Sequence, residues 1–575
     1  MKRMNSAITY RLAGIKLWFW LPLLAVLLFA AGVRLYKLGE YPQRFNQDEM
    51  VMGYDAWSLW QTGRDHHGDL LPINFRAFND FVPPVNTYIT APFVGIFGLD
   101  EATTRLPMAL MGIGAVFLVA LLGRRWFGAT AGLLAALFLA IDPWQVNYSR
   151  IAFPTSSITF FIAAALYTFT RATSSLKLAD EEGRPPGRVV IGWLMLSALC
   201  FALLTGTYAP MKLQGPLLLL TCLVAGSNLF WKHRRLVVGW LVVYAVCVSP
   251  LFITLLLQAS GLQSRFNFVS AFNNTLWPIQ AARLYTDHFD IGMLIFTGYG
   301  GGVGIHPPLI IGELFWLEAP LCVAAFIGLS RRRVSRRVAF NLTLLAVVWF
   351  LTYPIADSLT DGDATPGVIA GRPHEIRSYN FLPLPELLAG FGAVVIWQTL
   401  KRTRRGRLAA LGLGLAGGVT FVVFAIIFLS YFFGPPLLET DTKPKDIPYN
   451  VGLRPVLDKV TSQLQPCDVI WLQQDNQAYM YYLFLTRYPP SRAHLFNLNV
   501  ASPEGDLNIS GFDQVRFGDP VADSKDSLST PECEGQPHNI YYVTRKRLNW
   551  PGWQEIIVVN NRAGDLVWRA IEKAG

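Results

Sequence analysis

Long apolar runs separated by short basic clusters fill the first three quarters of this chain; after Pro435-Pro436 a mixed polar pattern takes over. Each run approaches the ~20 residues that a helix needs to cross a ~30 Å hydrocarbon core. Threaded so that Lys/Arg-rich loops share one side, the runs predict about eleven transmembrane helices. They lie at 17–36, 105–123, 128–141, 154–170, 189–207, 214–230, 236–257, 308–329, 338–356, 381–400 and 408–433. The clusters "WKHRR" (231–235), "RRRVSRR" (331–337) and "KRTRRGR" (401–407) then fall on the cytoplasmic side with Arg124 and Arg125. The N-terminus is expected to be cytoplasmic, its first span retained, and the C-terminal domain extracytoplasmic.

One apolar stretch does not fit this alternation. "PPVNTYITAPFVGIFGL" (83–99) is short, contains Pro92 and carries Asn86, Thr87 and Thr90. Were it to cross, Arg124 and Arg125 would emerge on the wrong face, so it is predicted to be an interfacial helix at the membrane surface. Three outer loops are long, at 37–104, 258–307 and 357–380, and long loops in compact proteins tend to carry function. The expected organisation is a membrane domain over 1–434, including the outer loop, and a soluble domain over 435–575. In the latter, 467–473, 538–544 and 555–561 read as strands and 456–464 as a helix, which suggests a small α/β or α+β fold.

Composition narrows the function classes. Of 575 residues, 52% are hydrophobic and 15% charged, well under the ~25% charged residues of soluble domains. The chain is therefore read as a mainly α, multi-pass protein of the cell membrane. Its net charge of +10 sits in short loops without an aromatic-basic platform, which argues against nucleic acid. Cys200, Cys222, Cys247 and Cys322 fall in apolar runs; Cys467 and Cys533 lie outside them and form a disulfide if their domain is extracytoplasmic. The C-terminal domain has neither a phosphate-binding glycine loop nor a Cys/His metal pattern.

Candidate chemistry begins just after the first span. In "RFNQDEMVMGYDAW" (44–57) Asp48 and Glu49 are neighbours flanked by Phe45, Met50, Val51, Met52, Tyr54 and Trp57. Adjacent carboxylates in partly apolar surroundings have raised pKa values or recruit a cation. Either property suits a general base acting on a hydroxyl, or a metal ligand. A solvated acidic loop remains the plainer alternative.

Three stretches carry a resemblance: "FNQDEMVMGYDAWSLWQTGRDHHGDLLPINF", "FNDFVPPVNTYITAPFVGIFGLDEATTRLPMAL" and "GRRWFGATAGLLAALFLAIDPWQVNYSR". In this order they resemble the N-terminal half of lipid-carrier-dependent GT-C glycosyltransferases of the protein O-mannosyltransferase and aminoarabinose-transferase type. The likeness covers roughly residues 15–240. It implies an inverting transfer of a sugar from a polyprenyl-phosphate donor to a hydroxyl of a protein, lipid or glycan acceptor on the outer membrane face. By the resemblance, Asp48 is the general base or a metal ligand, which leaves a divalent cation open as cofactor. Glu49 supports it, Asp80 is a second acid by the donor, and Asp142 is a third. Val82-Pro83-Pro84 stands where many relatives have Lys-Pro-Pro, so the phosphate contact is unassigned. Its candidates are Arg76, the His66-His67 pair, and Arg372, His374 and Arg377 in "GRPHEIRSYNFLP" (371–383), with Arg377 favoured. Tyr208 and Lys212 are candidates for lining the donor groove.

Two readings from other classes stand beside this one: a lipid or polysaccharide transporter, and a glycan-binding membrane scaffold. A transporter predicts internal repeats and ionisable groups at mid-membrane depth, and the sequence displays no such repeat.

Overall fold

The computed structural model describes residues 17–77, 80–257, 272, 275–299, 311–331, 338, 340–360, 372–473, 478–496, 509, 511–520 and 539–574. In chain order its main helices are α1 (Leu17–Leu35), α2 (Gln47–Thr62), α3 (Val85–Phe97), α4 (Glu101–Trp126), α5 (Ala129–Ile141) and α6 (Pro143–Ser149). There follow α7 (Ile158–Glu181), α8 (Arg188–Thr205), α9 (Met211–Ala225), α10 (Arg234–Leu257), α11 (Glu318–Ser330) and α12 (Leu342–Thr352). The last are α13 (Leu384–Leu400), α14 (Arg404–Phe432), α15 (Leu453–Thr461) and α16 (Ala478–Leu485).

Each apolar run expected to span contains a helix over part or most of its length among the described residues. Among the described residues, 5 helices are long and apolar enough to cross a membrane, or up to 7 when two bent pairs each count as one span. One of these pairs is α5 with α6, bent by 62° at Asp142, where Pro143 starts the second helix. Several expected spans are shorter as helices, among them α9, which ends at the C-cap Gly226, and α11, which begins only at Glu318.

The chain divides into two compact units: Met1–Tyr36 with Met108–Phe432, and Lys37–Pro107 with Phe433–Gly575. The first is a helical bundle. Small residues let its helices approach closely, as is usual where lipid supplies no hydrophobic driving force between them. On α13, a Cβ at Gly390 would run into the Ala131 carbonyl of α5, and one at Gly392 into the Leu321 carbonyl of α11. Consequently α13 lies against both helices.

The second unit joins the first outer loop to the C-terminal segment through one apolar core. Met50, Val51 and Tyr54 of α2 and Val94 of α3 cluster with Val456, Ile470, Tyr479, Phe484 and Trp568. Strands β1 (Phe75–Ala77) and β2 (Asp80–Val82) form an antiparallel pair between α2 and α3. β3 (Val469–Leu472), β4 (Gly511–Phe512), β5 (Val515–Phe517), β6 (Ile540–Thr544), β7 (Gln554–Asn560) and β8 (Leu566–Lys573) make a six-stranded sheet in the order β4-β5-β3-β6-β8-β7. β3 runs parallel to β5 and β6, and β8 antiparallel to β6 and β7. The three strands and the helix anticipated in this segment are present as β3, β6, β7 and α15. Cys467 is disulfide-bonded; its expected partner, Cys533, lies outside the described residues.

Helix α3 corresponds to the stretch expected at the membrane surface. Thirteen residues at ~1.5 Å each are too few for a ~30 Å crossing. Its polar residues Asn86, Thr87 and Thr90 face inward, buried with Ala91 and Val94.

Candidate active site

The acidic pair sits in the first turn of α2, and local sequence explains why the helix starts there. Asn46 is the N-cap: its side chain accepts from the Asp48 backbone N–H at 2.9 Å, and Glu49 returns a bond to the Asn46 N–H at 3.1 Å. This capping box satisfies backbone donors that the first turn leaves open. The two acids then part company. Glu49 is fully buried and held by Arg105, whose Nε and Nη2 donate to its two oxygens at 2.8 and 2.9 Å. Arg105 also donates to the carbonyls of Leu38, Pro42 and Arg44, so one guanidinium pins the whole entry to α2. Asp48 is half-buried, with the positive end of the helix dipole favouring its charge.

Further along α2, Asp55 Oδ1 receives both the backbone N–H and the Nδ1 of His66, the latter at 2.6 Å. His67 stacks beside His66 with ring centroids 3.9 Å apart, and His494 contacts Ser58 Oγ and the Asp65 carbonyl. The His pair is therefore packed into the unit's interior. Burial pulls the His66 pKa down, but Asp55, by charge and hydrogen bond, together with Asp65, outweighs it and holds the group above its ordinary value. Burial, with the charges of His66 and Arg76, forces His67 far down, and burial also lowers His494. Burial and the nearby Asp55 charge raise Asp65 to about 6.

These shifts oppose one another below pH ~6.5, the ordinary histidine value. Above it His67 and His494 are neutral folded or unfolded, and Asp65 is ionised in both states. Only His66 still binds its proton more tightly when folded, so its stabilisation is lost as pH rises through its raised pKa. The unfolding midpoint of this unit is therefore expected to fall between about pH 7 and 9, and Asp55→Asn to flatten that slope. Thermal unfolding followed across pH checks this; an equal slope in the variant would remove His66 as the cause.

The remaining sequence candidates are placed as follows. Arg76 pairs with Asp69 at 2.6 Å, half-exposed. Asp80 lies on β2 opposite Ala77; its side chain is outside the described residues.

In the helical unit, Asp142 links α5 to α6 and accepts from the Gln145 N–H at 2.7 Å. Tyr208 and Lys212 are half-buried at the start of α9. Arg372 is exposed. Arg377 donates to Thr360 Oγ1 at 2.6 Å and lies 3.7 Å from Asp357. Asp357 also accepts from the His374 backbone at 2.6 Å and from His288 Nε2 at 3.0 Å. The loop 372–381 is thus anchored through Asp357, a residue the sequence reading passed over.

Of the further polar groups in the helical unit, Arg34, Glu313, Glu318, Glu375 and Glu386 were not among the sequence candidates. Arg34, buried near the end of α1, donates to the Leu139 and Ala140 carbonyls at 3.0 Å each and so caps the C-terminal end of α5. Arg150 does the same for α1 through the Val33 and Tyr36 carbonyls, at 2.6 and 2.7 Å. A cavity of about 70 Å³ opens beside α6, lined in part by Trp144, Asn147, Tyr299, Glu313 and Glu375. Glu375 accepts from the Tyr148 hydroxyl at 2.7 Å, and Glu313 from the Tyr299 N–H at 2.8 Å. Asp142, Glu318 and Glu386 converge with carboxylate oxygens within 4.8 Å of one another. The available signal was an ionisable residue within or bounding an apolar run, which marks a functional candidate in membrane proteins.

Parts of this chain are similar to known proteins. Residues 82–253 match the family model described as dolichyl-phosphate-mannose-protein mannosyltransferase. The putative mannosyltransferase YycA of Bacillus subtilis is 30% identical over 157 residues, 26% of this chain and 23% of its own length. The putative mannosyltransferase YkcB of the same organism is 33% identical over 159 residues, 27% of this chain and 21% of its own. The chain thus spans under a quarter of the curated relatives it matches. Among solved structures, ArnT from Cupriavidus metallidurans, bound to undecaprenyl phosphate, superposes with a TM-score of 0.54 at 14% identity, over 97% of this chain and 98% of that one. The apo oligosaccharyltransferase of Archaeoglobus fulgidus gives 0.53 at 14% identity, over 82% and 64%. The resemblance drawn from the N-terminal motifs is matched by both comparisons: the chain has the fold of the GT-C glycosyltransferases, and its residues 82–253 carry the pattern of the dolichyl-phosphate-mannose-protein mannosyltransferases.

Proposed function

We propose that this protein is an inverting glycosyltransferase that moves a sugar from a polyprenyl-phosphate donor to an acceptor hydroxyl on the outer face of the membrane. The observation that carries the reading is the division of labour within the acidic pair. Glu49 is consumed by its capping bond and the bidentate Arg105 pair, which fixes the helix start, while Asp48 occupies the half-buried position beside it. A carboxylate held on a rigid first turn suits a general base, which must meet a hydroxyl proton within hydrogen-bond reach. In an inverting displacement it takes the acceptor proton as the oxygen attacks the anomeric carbon, and the lipid phosphate leaves with the bonding pair. Departing phosphate charge calls for a cationic partner, which arginine supplies bidentately. Glu49 is a positioning residue in this scheme.

Support for the donor class comes from the mannosyltransferase family match over residues 82–253 and from two structural neighbours. One is the ArnT structure bound to undecaprenyl phosphate. The other is an archaeal oligosaccharyltransferase in complex with dolichol phosphate. The cavity beside α6, at about 70 Å³, lies below the ~300–1,000 Å³ of ligand pockets and is given no substrate.

The test is a turnover assay on the purified full chain in lipid nanodiscs, with radiolabelled polyprenyl-phosphate mannose and polyprenyl-phosphate aminopentose. Membrane extracts supply the acceptors. Release of polyprenyl phosphate with label in an acceptor, the new linkage inverted by NMR, is the expected result. A folded protein that releases no lipid phosphate from either donor counts against the reading.

A further inference from the structure

The helical unit contains a second acidic constellation, apart from Asp48 and Glu49. Asp142 stands at the 62° bend between α5 and α6, Glu318 opens α11, and Glu386 lies in the first turn of α13. The glycine contacts that press α13 against α5 and α11 bring these three positions together. One carboxylate oxygen from each lies within 4.8 Å of the others, and all three residues are 0% exposed.

Proximity alone does not make a site; the hydrogen-bond inventory adds an independent observation. Both oxygens of Glu318, both of Glu386 and Oδ2 of Asp142 are buried without a hydrogen-bond partner among the described residues. Buried polar atoms are satisfied in the great majority of cases, and each exception calls for an explanation such as an ion. Here five such atoms converge on one place. Helix N-termini ease the charge on Glu318 and Glu386, yet no helix end removes the repulsion of three carboxylates from one another. Arg34, whose guanidinium feels Asp142 electrostatically, supplies one positive charge. Three carboxylates and one guanidinium leave a formal charge of −2, which one divalent cation neutralises.

We infer that Asp142, Glu318 and Glu386 form a buried site for one hard divalent cation of the magnesium and manganese class. The donors are all oxygen, the preference of Mg²⁺ and Mn²⁺ over softer metals. The nearby Cys322 thiol is directed to the Pro385 carbonyl at 3.4 Å and is not a ligand. The cation ties the α5–α6 bend to the starts of α11 and α13, the bend being continuous with the wall of the Trp144 cavity. Asp48 is not among its ligands.

The experiment uses the full chain, purified in detergent, stripped with chelator and titrated with Mn²⁺ alone. Bound metal is read by electron paramagnetic resonance and elemental analysis, and folding by thermal unfolding. Wild type is expected to bind one Mn²⁺ per chain and to unfold at a higher temperature with it. A Glu318→Gln/Glu386→Gln variant, which keeps the side-chain shapes, should stay folded and lose both effects; the single Glu318→Gln variant should bind at least tenfold more weakly. Asp48→Asn should bind as wild type does, which separates this site from the transfer chemistry. Folded wild type without bound Mn²⁺, binding that survives the double variant, or binding lost in Asp48→Asn overturns the inference.

Discussion

Asp48→Asn is expected to lower sugar transfer by about 10²–10⁴-fold, the range of a lost general base, with the protein still folded. Asparagine matches aspartate in shape but cannot accept a proton from an attacking hydroxyl. The start of α2 should survive, because the cap uses the Asn46 side chain and the backbone N–H of residue 48, neither of which the substitution removes. One structural loss is a favourable charge near a helix N-terminus, about 0.3–1 kcal/mol. Turnover should therefore fall far more than stability does. Near-normal transfer by a folded Asp48→Asn protein would remove Asp48 from the mechanism. Equal losses of activity and stability would make it a structural residue.

Arg105→Ala should show the opposite signature. Arg105 and Glu49 form a fully buried, bidentate pair, and Arg105 also satisfies the Leu38, Pro42 and Arg44 carbonyls. Removing one partner leaves a buried carboxylate uncompensated, which costs about 3–5 kcal/mol. The expected result is a destabilised second unit, read as faster limited proteolysis near residues 38–46 and a lower unfolding midpoint. Activity falls with it. Adding Glu49→Gln should recover part of the loss, since the second change removes the stranded charge; double-mutant cycles measure such coupling. If Arg105→Ala is as stable as wild type, the pair is not what fixes the entry to α2. The two predictions separate neighbouring acids that look alike in sequence: the first tests a catalytic role for Asp48, the second a structural role for Glu49.

Much of the fold was legible because it depends on local pattern. A run of about 20 apolar residues predicts a helix wherever it sits, and each expected span contains one over part or most of its length among the described residues. Helix α3 was set apart from a span by the charge rule, because a crossing there would put Arg124 and Arg125 on the wrong face. In the C-terminal segment, β3, β6, β7 and α15 follow from alternation and helical period. β8 was overlooked because "LVWRAIEK" (566–573) mixes charge into an otherwise strand-like run. The short β4 and β5 offer too few residues for any period to be visible.

The candidate site divides in the same way. The sequence by itself determined a membrane-embedded helical protein and an acidic pair just beyond the first span. Only the tertiary structure decided which acid is sequestered, because Arg105 lies 56 residues from Glu49 and its reach depends on how α4 packs. It also placed His66 against Asp55, turning a polar-looking loop pair into interior residues. Likewise it brought Asp142, Glu318 and Glu386 from three helices to one point. Hydrophobic period is a property of neighbours in sequence, whereas desolvation and charge pairing belong to neighbours in space, and those are fixed only once the helices pack.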